Sequence, residues 1–426
     1  MGMTPFPYQV DGINHLKNRD MAALWDDPGL GKSFQTLRAI IDKGIETVLI
    51  ICPASVRLVW AQECAKVGLE SQVVMKSSQI GPGINITSYE GASGKMFADF
   101  VQIDWELIVL DEQHFAKNPK AKRTKRIFGD RMDGNGGLLS CTERMWCLTG
   151  TPMPNNPSEL YPMCRAMFPD SIMNSNGHPM TYWQFVGRYC VTRDNGFGVE
   201  ITGGKNLNKL REQLRGRVLR RKKEDVLKDL PKIRYDMLHV EGDIRGLPKE
   251  ELEIIKECLE KDDPLDALRK QGTHVASVRR VTGMAKVKAV KKWIEDNDHD
   301  KIVIFAHHRA VIDELCSLPD TVKIDGSCSQ AQREDAVFAF QHGKAKRLVG
   351  QIRAAGTGLT LTAAQTLLFV EYSWVPAENR QAADRIHRIG QDHNCMVYFA
   401  AIPGSIDEDI MKAVKRKLKI YEELGL

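Results

Sequence analysis

Ten short apolar runs, rich in Val, Ile and Leu, recur along the chain between stretches of helical periodicity, and this alternation narrows the fold more than any other feature. The first five cover 22–26, 47–52, 84–87, 106–110 and 145–148; the second five cover 301–306, 321–324, 347–351, 366–371 and 396–401. Such nearly continuous apolar runs suit strands buried on both faces of a parallel sheet. Strand–helix alternation places them in α/β layers. Residues 156–300, between the two sets, are expected to be mostly helical, more charged and broken by Gly and Pro. The expected fold is therefore α/β, with two parallel-sheet lobes and helical insertions between them. The first lobe spans 1–232 with its insertion from about 156, and the second spans 233–426 with its insertion to about 300. Leu230-Pro231-Lys232 marks the boundary, because Pro231 should end a basic helix before it. The last helix, 405–424, places Ile406, Ile410, Val414, Leu418 and Tyr421 on one packing face.

The 426 residues leave ample room for two such lobes, and a composition 42% hydrophobic and 27% charged fits a globular chain. No apolar run approaches the roughly 18 residues of a membrane helix. The N-terminus lacks a basic stretch followed by an apolar one, so no secretory signal is expected. The expected location is the cytoplasm of a bacterium or phage-infected host, or the nucleus of a nucleated cell. A net charge of +5 permits a nucleic-acid partner without demanding one. Two basic runs, Lys117 to Arg126 and Arg215 to Lys223, carry more local charge, which fits either a solvated surface or phosphate contacts. Ten scattered cysteines without a C-x-x-C pair argue against zinc and for small core residues in a reducing compartment.

The segment Asp26-Asp27-Pro28-Gly29-Leu30-Gly31-Lys32-Ser33 follows a strand and opens a helix, the context a phosphate loop needs. Gly29 and Gly31 let backbone N–H groups turn toward phosphate oxygens at a helix N-terminus. Lys32 would reach the β and γ phosphates, and Ser33 would hold Mg²⁺. Asp26 stands where such loops usually begin with Gly. The apolar run 107–110 ends in Asp111 and Glu112, suited to a Mg²⁺-bound water and to a base on the attacking water. Gln381, Arg385 and Arg388 fall at i, i+4 and i+7, which on one helix would aim two guanidiniums together at a γ-phosphate. The loop lies in the first lobe and the arginines in the second, so hydrolysis would require closure.

Taken together, these segments resemble helicase superfamily two, and within it the Swi/Snf-like DNA translocases. Pro7-Tyr8-Gln9 with Gly12 is similar to that family's adenine-recognising Q motif. Asp27 to Ser33 is similar to its motif I, Asp111-Glu112-Gln113-His114 to its D-E-A-H or D-E-G-H box, and Leu148 to Pro152 to its motif III. Cys52-Pro53-Ala54-Ser55 and Thr87-Ser88-Tyr89-Glu90 resemble DNA-facing segments. Leu219 to Lys223, with Val226-Leu227 and Leu230-Pro231, resembles an L-R-R-x-K element between the lobes. Phe305 to His308, Ile324 to Ser327 with Arg333, Ala354 to Thr360 and Trp374 to Gln391 resemble the second-lobe motifs. The wording looks closest to the annealing-helicase or HepA-related branch. Gln113 and Asp27-Pro28 depart from the usual residues without removing a catalytic group.

The resemblance implies two RecA-like lobes, ATP and Mg²⁺ as cofactors, and Gln9 and Gly358 beside the loop as nucleotide contacts. It implies ATP-driven tracking along double-stranded DNA, branched or forked DNA included, by a monomer that remodels DNA or protein–DNA complexes without processive strand separation. Ser55, Arg57, Ser88, Tyr89, His308 and Arg353 are the expected DNA-side residues, touching mostly phosphates. An unwinding RNA or DNA helicase of the same superfamily stays open as a second reading. A nucleotide-gated scaffold or a motor subunit of a larger complex stays open as a third.

Overall fold

The computed structural model describes residues 4–414 except 195–197, 244–248, 261–266, 269–270, 298, 356–358 and 413. The chain divides into two compact units, Met1–Lys228 and Asp229–Leu426.

In the first unit seven parallel strands form one sheet in the order β3-β4-β2-β5-β6-β1-β9. They are β1 (Met21–Leu24), β2 (Val48–Cys52), β3 (Ser71–Val73), β4 (Ile84–Ser88), β5 (Leu107–Asp111), β6 (Met145–Leu148) and β9 (Val218–Leu219). β2 is buried at every position and β5 at all but Asp111, as their unbroken apolar character requires. Leu24 and Asp111 both pair with Leu148, so β1, β5 and β6 end at one level. Two helices cover β1: α1 (Pro7–Lys17) and α2 (Lys32–Lys43). A further helix, α3 (Arg57–Lys66), follows β2. An antiparallel hairpin, β7 (Cys190–Asp194) with β8 (Val199–Gly204), stands apart from the sheet.

The second unit holds a six-stranded parallel sheet in the order β10-β15-β14-β11-β13-β12. These strands are β10 (Ile233–His239), β11 (Ile302–Ala306), β12 (Thr321–Ile324), β13 (Arg347–Gln351), β14 (Thr366–Phe369) and β15 (Cys395–Ala401). Phe305, Phe369 and Phe399 pack together in its core, Phe305 tilted on Phe369 and Phe369 stacked on Phe399, with ring centroids 5.7 and 4.9 Å apart.

The expected α/β class with two parallel sheets is the observed one. Residues 156–300 are less helical than expected: β7, β8, β9 and β10 all lie there. The basic helix expected before Pro231 is a single turn, Lys223–Val226, preceded by strand β9. Val218 and Leu219 are recruited as a sheet edge beside β1, a pairing that local periodicity does not report. Most of the expected C-terminal helix lies outside the described residues.

Candidate active site

The loop after β1, the acidic pair after β5 and the threonines after β6 meet at the carboxyl ends of three neighbouring strands, where open α/β sheets place ligands. Gly29 and Gly31 take left-handed φ values of 90° and 76°, which a side chain would strain. Gly31 leads directly into α2. A Cβ on Gly31 would also stand 2.6 Å from Gln9 Nε2. The Lys32 ammonium donates to the carbonyls of Asp26 at 2.7 Å and Asp27 at 3.4 Å, spanning the loop from below. Ser33 sits beside it, partly exposed.

A buried polar layer fixes this loop. The Leu30 carbonyl accepts from Tyr8 Oη at 3.3 Å, Gln9 Nε2 at 3.2 Å and Gln35 Nε2 at 3.0 Å. Gln9 accepts from Phe6 N at 3.0 Å, so one side chain both caps α1 and ties it to the loop. Arg221 donates to both Asp26 oxygens, to Gln35 Oε1 at 2.7 Å and to the Tyr8 carbonyl, with its guanidinium over the Tyr8 ring. Asp27 N donates to the Arg221 carbonyl, and Lys223 N donates to Asp27 Oδ2. The Arg-rich segment expected between the lobes thus belongs to the first unit. Two of its cations, Arg221 and Lys223, are largely buried, and Arg217 pairs with Asp170. The site's missing Gly is explained too: Asp26 is the anion that Arg221 requires.

Asp111 Oδ2 accepts from Trp60 Nε1 at 2.8 Å, and its carbonyl accepts from Tyr89 Oη at 2.9 Å. Burial, and then the charge of Glu112, push the Asp111 carboxyl up to about 6. Glu112 adopts a left-handed backbone, φ 52°, which turns its carboxylate back toward β6. There Thr149 Oγ1 donates to Glu112 Oε2 at 2.9 Å, with His114 Nδ1 3.3 Å from the same oxygen. Burial would raise Glu112, but His114, Lys32 and Thr149 outweigh it and hold the group down to about 2. The Lys32 charge acts on both carboxylates, so all three groups share one field. Thr151 N donates to Thr149 Oγ1 at 3.0 Å and Thr151 Oγ1 lies 3.4 Å from His114 Nδ1, completing a polar chain from Glu112 into the loop after β6. A Cβ on Gly150 would stand 2.7 Å from Pro28 Cδ, so that loop packs directly on the phosphate loop.

The hydroxyl of Ser33 and the carboxylate of Asp111 are hard oxygen donors of the kind Mg²⁺ takes. Among the described residues no cluster of three His, Cys, Asp or Glu could hold a metal by itself. Two protein oxygens fit an ion that arrives with a nucleotide and keeps several waters.

The residues expected to face DNA divide into two kinds. Ser55 is exposed, and Arg57 is partly exposed with Nε on the Ala54 carbonyl. Tyr89 is fully buried behind the acidic pair, stacked on Phe115, and Ser88 is buried as the cap of Tyr89–Ala92. Both therefore belong to the scaffold of the site rather than to a surface.

In the second unit, Glu371 joins the ends of β11 and β14. It accepts from His307 N at 2.9 Å, His308 N at 2.8 Å and the His308 ring. Burial opposes its ionisation, but these donors hold it below the usual carboxylate range. The helix carrying Gln381 ends at Ala383, so Gln381, Arg385 and Arg388 do not share one helical face. The turn after it still converges the two arginines: Arg385 Nη1 and Arg388 Nη1 reach the Leu359 carbonyl at 3.3 and 3.0 Å. Arg388 also donates to Thr360 Oγ1. Gln391 is a staple, its Nε2 donating to the carbonyls of Thr362, Ala364 and Ile386. Gly358 and the side chain of Arg353 lie outside the described residues. Trp60, the donor to Asp111, and the pairing of Arg221 with Asp26 are what sequence reasoning missed, whereas Thr149 lay in the segment Leu148 to Pro152. Arg221 lay in a visible motif, but nothing local named Asp26 as its partner.

Residues 8–280 match the model of the SNF2-related domain, and residues 285–390 match the helicase conserved C-terminal domain. The chain is 31% identical over its whole length to the SWI/SNF-related matrix-associated actin-dependent regulator of chromatin subfamily A-like protein 1 of Xenopus tropicalis, covering 45% of that protein. Over 97% of its length it is 29% identical to the DNA annealing helicase and endonuclease ZRANB3 of Mus musculus, covering 40% of it. The chain therefore spans less than half the length of these two relatives. Among solved structures, the SWI2/SNF2 ATPase core of Sulfolobus solfataricus in complex with dsDNA is 23% identical, with a TM-score of 0.46 over 98% of this chain and 94% of that one. The family match covers more than half of the chain, and the site at the ends of β1, β5 and β6 lies within it: the chain belongs to the SNF2-related family, with the two domains of a helicase-type ATPase.

Proposed function

We propose that this chain is an ATP-driven translocase on double-stranded DNA, a DNA-stimulated ATPase that moves along duplex without processive strand separation. The observation that carries the reading is the shared field of Lys32, Asp111 and Glu112, tied through Thr149 to the loop after β6. In this reading Lys32 and the loop N–H groups bind the phosphates, with Gln9 and Gly358 as further nucleotide contacts. Ser33 and Asp111 hold Mg²⁺, which neutralises phosphate charge when bound. Glu112 stays ionised at neutral pH and accepts a hydrogen bond from the attacking water, orienting it for attack. Arg385 and Arg388, with Gln381, act on the charge developing on the transferred phosphoryl group. The polar chain Glu112–Thr149–Thr151 is a route by which DNA outside the site alters the orientation of Glu112.

Ser55, Arg57, His308 and Arg353 are proposed to hold DNA phosphates rather than bases, since a tracking protein gains nothing from base readout. Branched or forked DNA is the proposed substrate, by likeness to a relative named as a DNA annealing helicase. The place of action is the compartment holding DNA: the nucleus in a nucleated cell, the cytoplasm in a bacterium. Among the described residues no helix is long and apolar enough to cross a membrane. The test is ATPase turnover with blunt duplex, forked duplex, a four-way junction, single strands and RNA. Duplex-containing DNA should stimulate most, with stimulation falling steeply as salt rises. Stimulation by RNA alone, or none by any nucleic acid, would sink the proposal.

A further inference from the structure

The basic run from Lys117 to Arg126 holds six cations, and the structure separates them by use. Lys117 pairs with Glu159 at 2.6 Å. Arg123 lies 3.5 Å from Glu90 and covers the rings of Tyr89 and Phe115. Arg126 donates to the carbonyls of Ser93 and Gly94 while its guanidinium sits 4.5 Å over the Phe97 ring. Lys117 precedes the helix Lys122–Phe128, whereas Arg123 and Arg126 fasten that helix to the segment 89–97 behind Asp111. The other three, Lys120, Lys122 and Lys125, converge on a cleft of about 420 Å³, walled by Arg126 and Phe97 and carrying one carboxylate, Asp130. Four cations against one carboxylate leave a net charge of three positive. Lys125 is 3.5 Å from Asp130, both exposed enough that this pair contributes little.

We propose that this cleft is a phosphodiester-binding site, a contact for the DNA backbone apart from Ser55, Arg57, His308 and Arg353. It rests on the proposed DNA partner. Ammonium groups on flexible stems act as point charges, suited to phosphate and unsuited to base readout. The volume, at the lower end of the roughly 300–1,000 Å³ range of small-ligand sites, admits a stretch of one backbone and not a duplex, so duplex lies across the mouth. One helix links the cleft to the acidic pair: the helix bearing Lys122 and Lys125 carries Arg123 against Tyr89, whose hydroxyl holds the Asp111 carbonyl. A backbone held here therefore loads the scaffold of the acidic pair.

The test is the salt dependence of duplex binding to the full chain, read by fluorescence anisotropy, in a variant carrying Lys120→Gln, Lys122→Gln and Lys125→Gln. A charge-matched control carries Lys66→Gln, Lys209→Gln and Lys228→Gln, all exposed elsewhere. Each lost phosphate contact should reduce the slope of log affinity against log salt by about 0.9, so the cleft variant should lose roughly two to three and the control almost none. DNA-free ATPase should be unchanged in both. An unchanged slope in the cleft variant, or an equal loss in the control, overturns the assignment. So does loss of polyglutamate binding with duplex binding intact, which would mark an acidic-peptide site. Because binding is the readout, failure here is separate from failure of the parent protein to respond to DNA at all.

Discussion

Arg221 and Asp26 lie 195 positions apart and form a fork-to-fork ion pair, Nε to Oδ1 at 2.9 Å and Nη2 to Oδ2 at 2.5 Å. Asp26 is fully buried and Arg221 nearly so. Removing one member of such a pair strands the other charge, at a cost of about 3–5 kcal/mol. Arg221→Ala should therefore lower urea stability by about that amount. Arg221→Lys keeps the charge and loses the fork, so it should fold and misplace the loop: KM for ATP should rise about tenfold, roughly 1.4 kcal/mol, with kcat less affected. A Lys variant with unchanged KM would show that the pair stabilises the unit without positioning the loop.

Gly12 gives this pair its room. A Cβ there would stand 1.8 Å from Gln35 Oε1 and 2.6 Å from Arg221 Nη2. Gly12→Ala should cost about 1–3 kcal/mol by overpacking. In an Arg221→Ala background one of the two obstructions is gone, so the same change should cost less. Additive losses in a chemical-denaturation cycle would argue that the two positions are independent.

The acidic site makes a separable set of kinetic predictions. Glu112→Gln should lower kcat by about 10²–10⁴ while nucleotide binding persists. Thr149→Val, which removes only the donor to Glu112 Oε2, should lower kcat less and leave KM in place. Lys32→Ala should abolish ATP binding measured by calorimetry. Arg385→Ala or Arg388→Ala should depress kcat by about 10³ or more with modest change in KM, as for an arginine finger. Unaltered turnover in the Lys32 and Glu112 variants would refute the site assignment.

His15 supplies a pH prediction outside the chemistry. Burial, and then the charge of Arg19, lower its imidazole from the usual 6.5 to about 4. Between those values the unfolded chain binds a proton that the folded chain does not, so stability rises with pH across this window and falls on acidification. The melting temperature should drop between pH 6.5 and 4.5, and His15→Gln should flatten that part of the profile. Equal slopes in both proteins would mean that His15 is already protonated in the fold.

The sequence by itself determined the two-sheet α/β class and ten of the thirteen parallel strands, β3, β9 and β10 being the ones it did not show, and it placed the glycine loop and the acidic pair at strand ends. Each is written in contiguous residues: unbroken apolar runs report burial on both faces, and Gly29, Gly31, Lys32, Asp111 and Glu112 follow strands at fixed local offsets. Tertiary structure alone decided which side chains join them. Arg221 meets Asp26 because β9 pairs beside β1. Thr149 reaches Glu112 because β5 and β6 end in register and Glu112 turns left-handed. Tyr89, next to the exposed Glu90, is drawn wholly inside. Arg385 and Arg388 converge through a turn where periodicity suggested one helix. The physical reason is common to all four. Periodicity encodes which face of an element is buried, whereas register, sheet order and turn geometry choose what stands opposite, and these are settled only when distant segments pack.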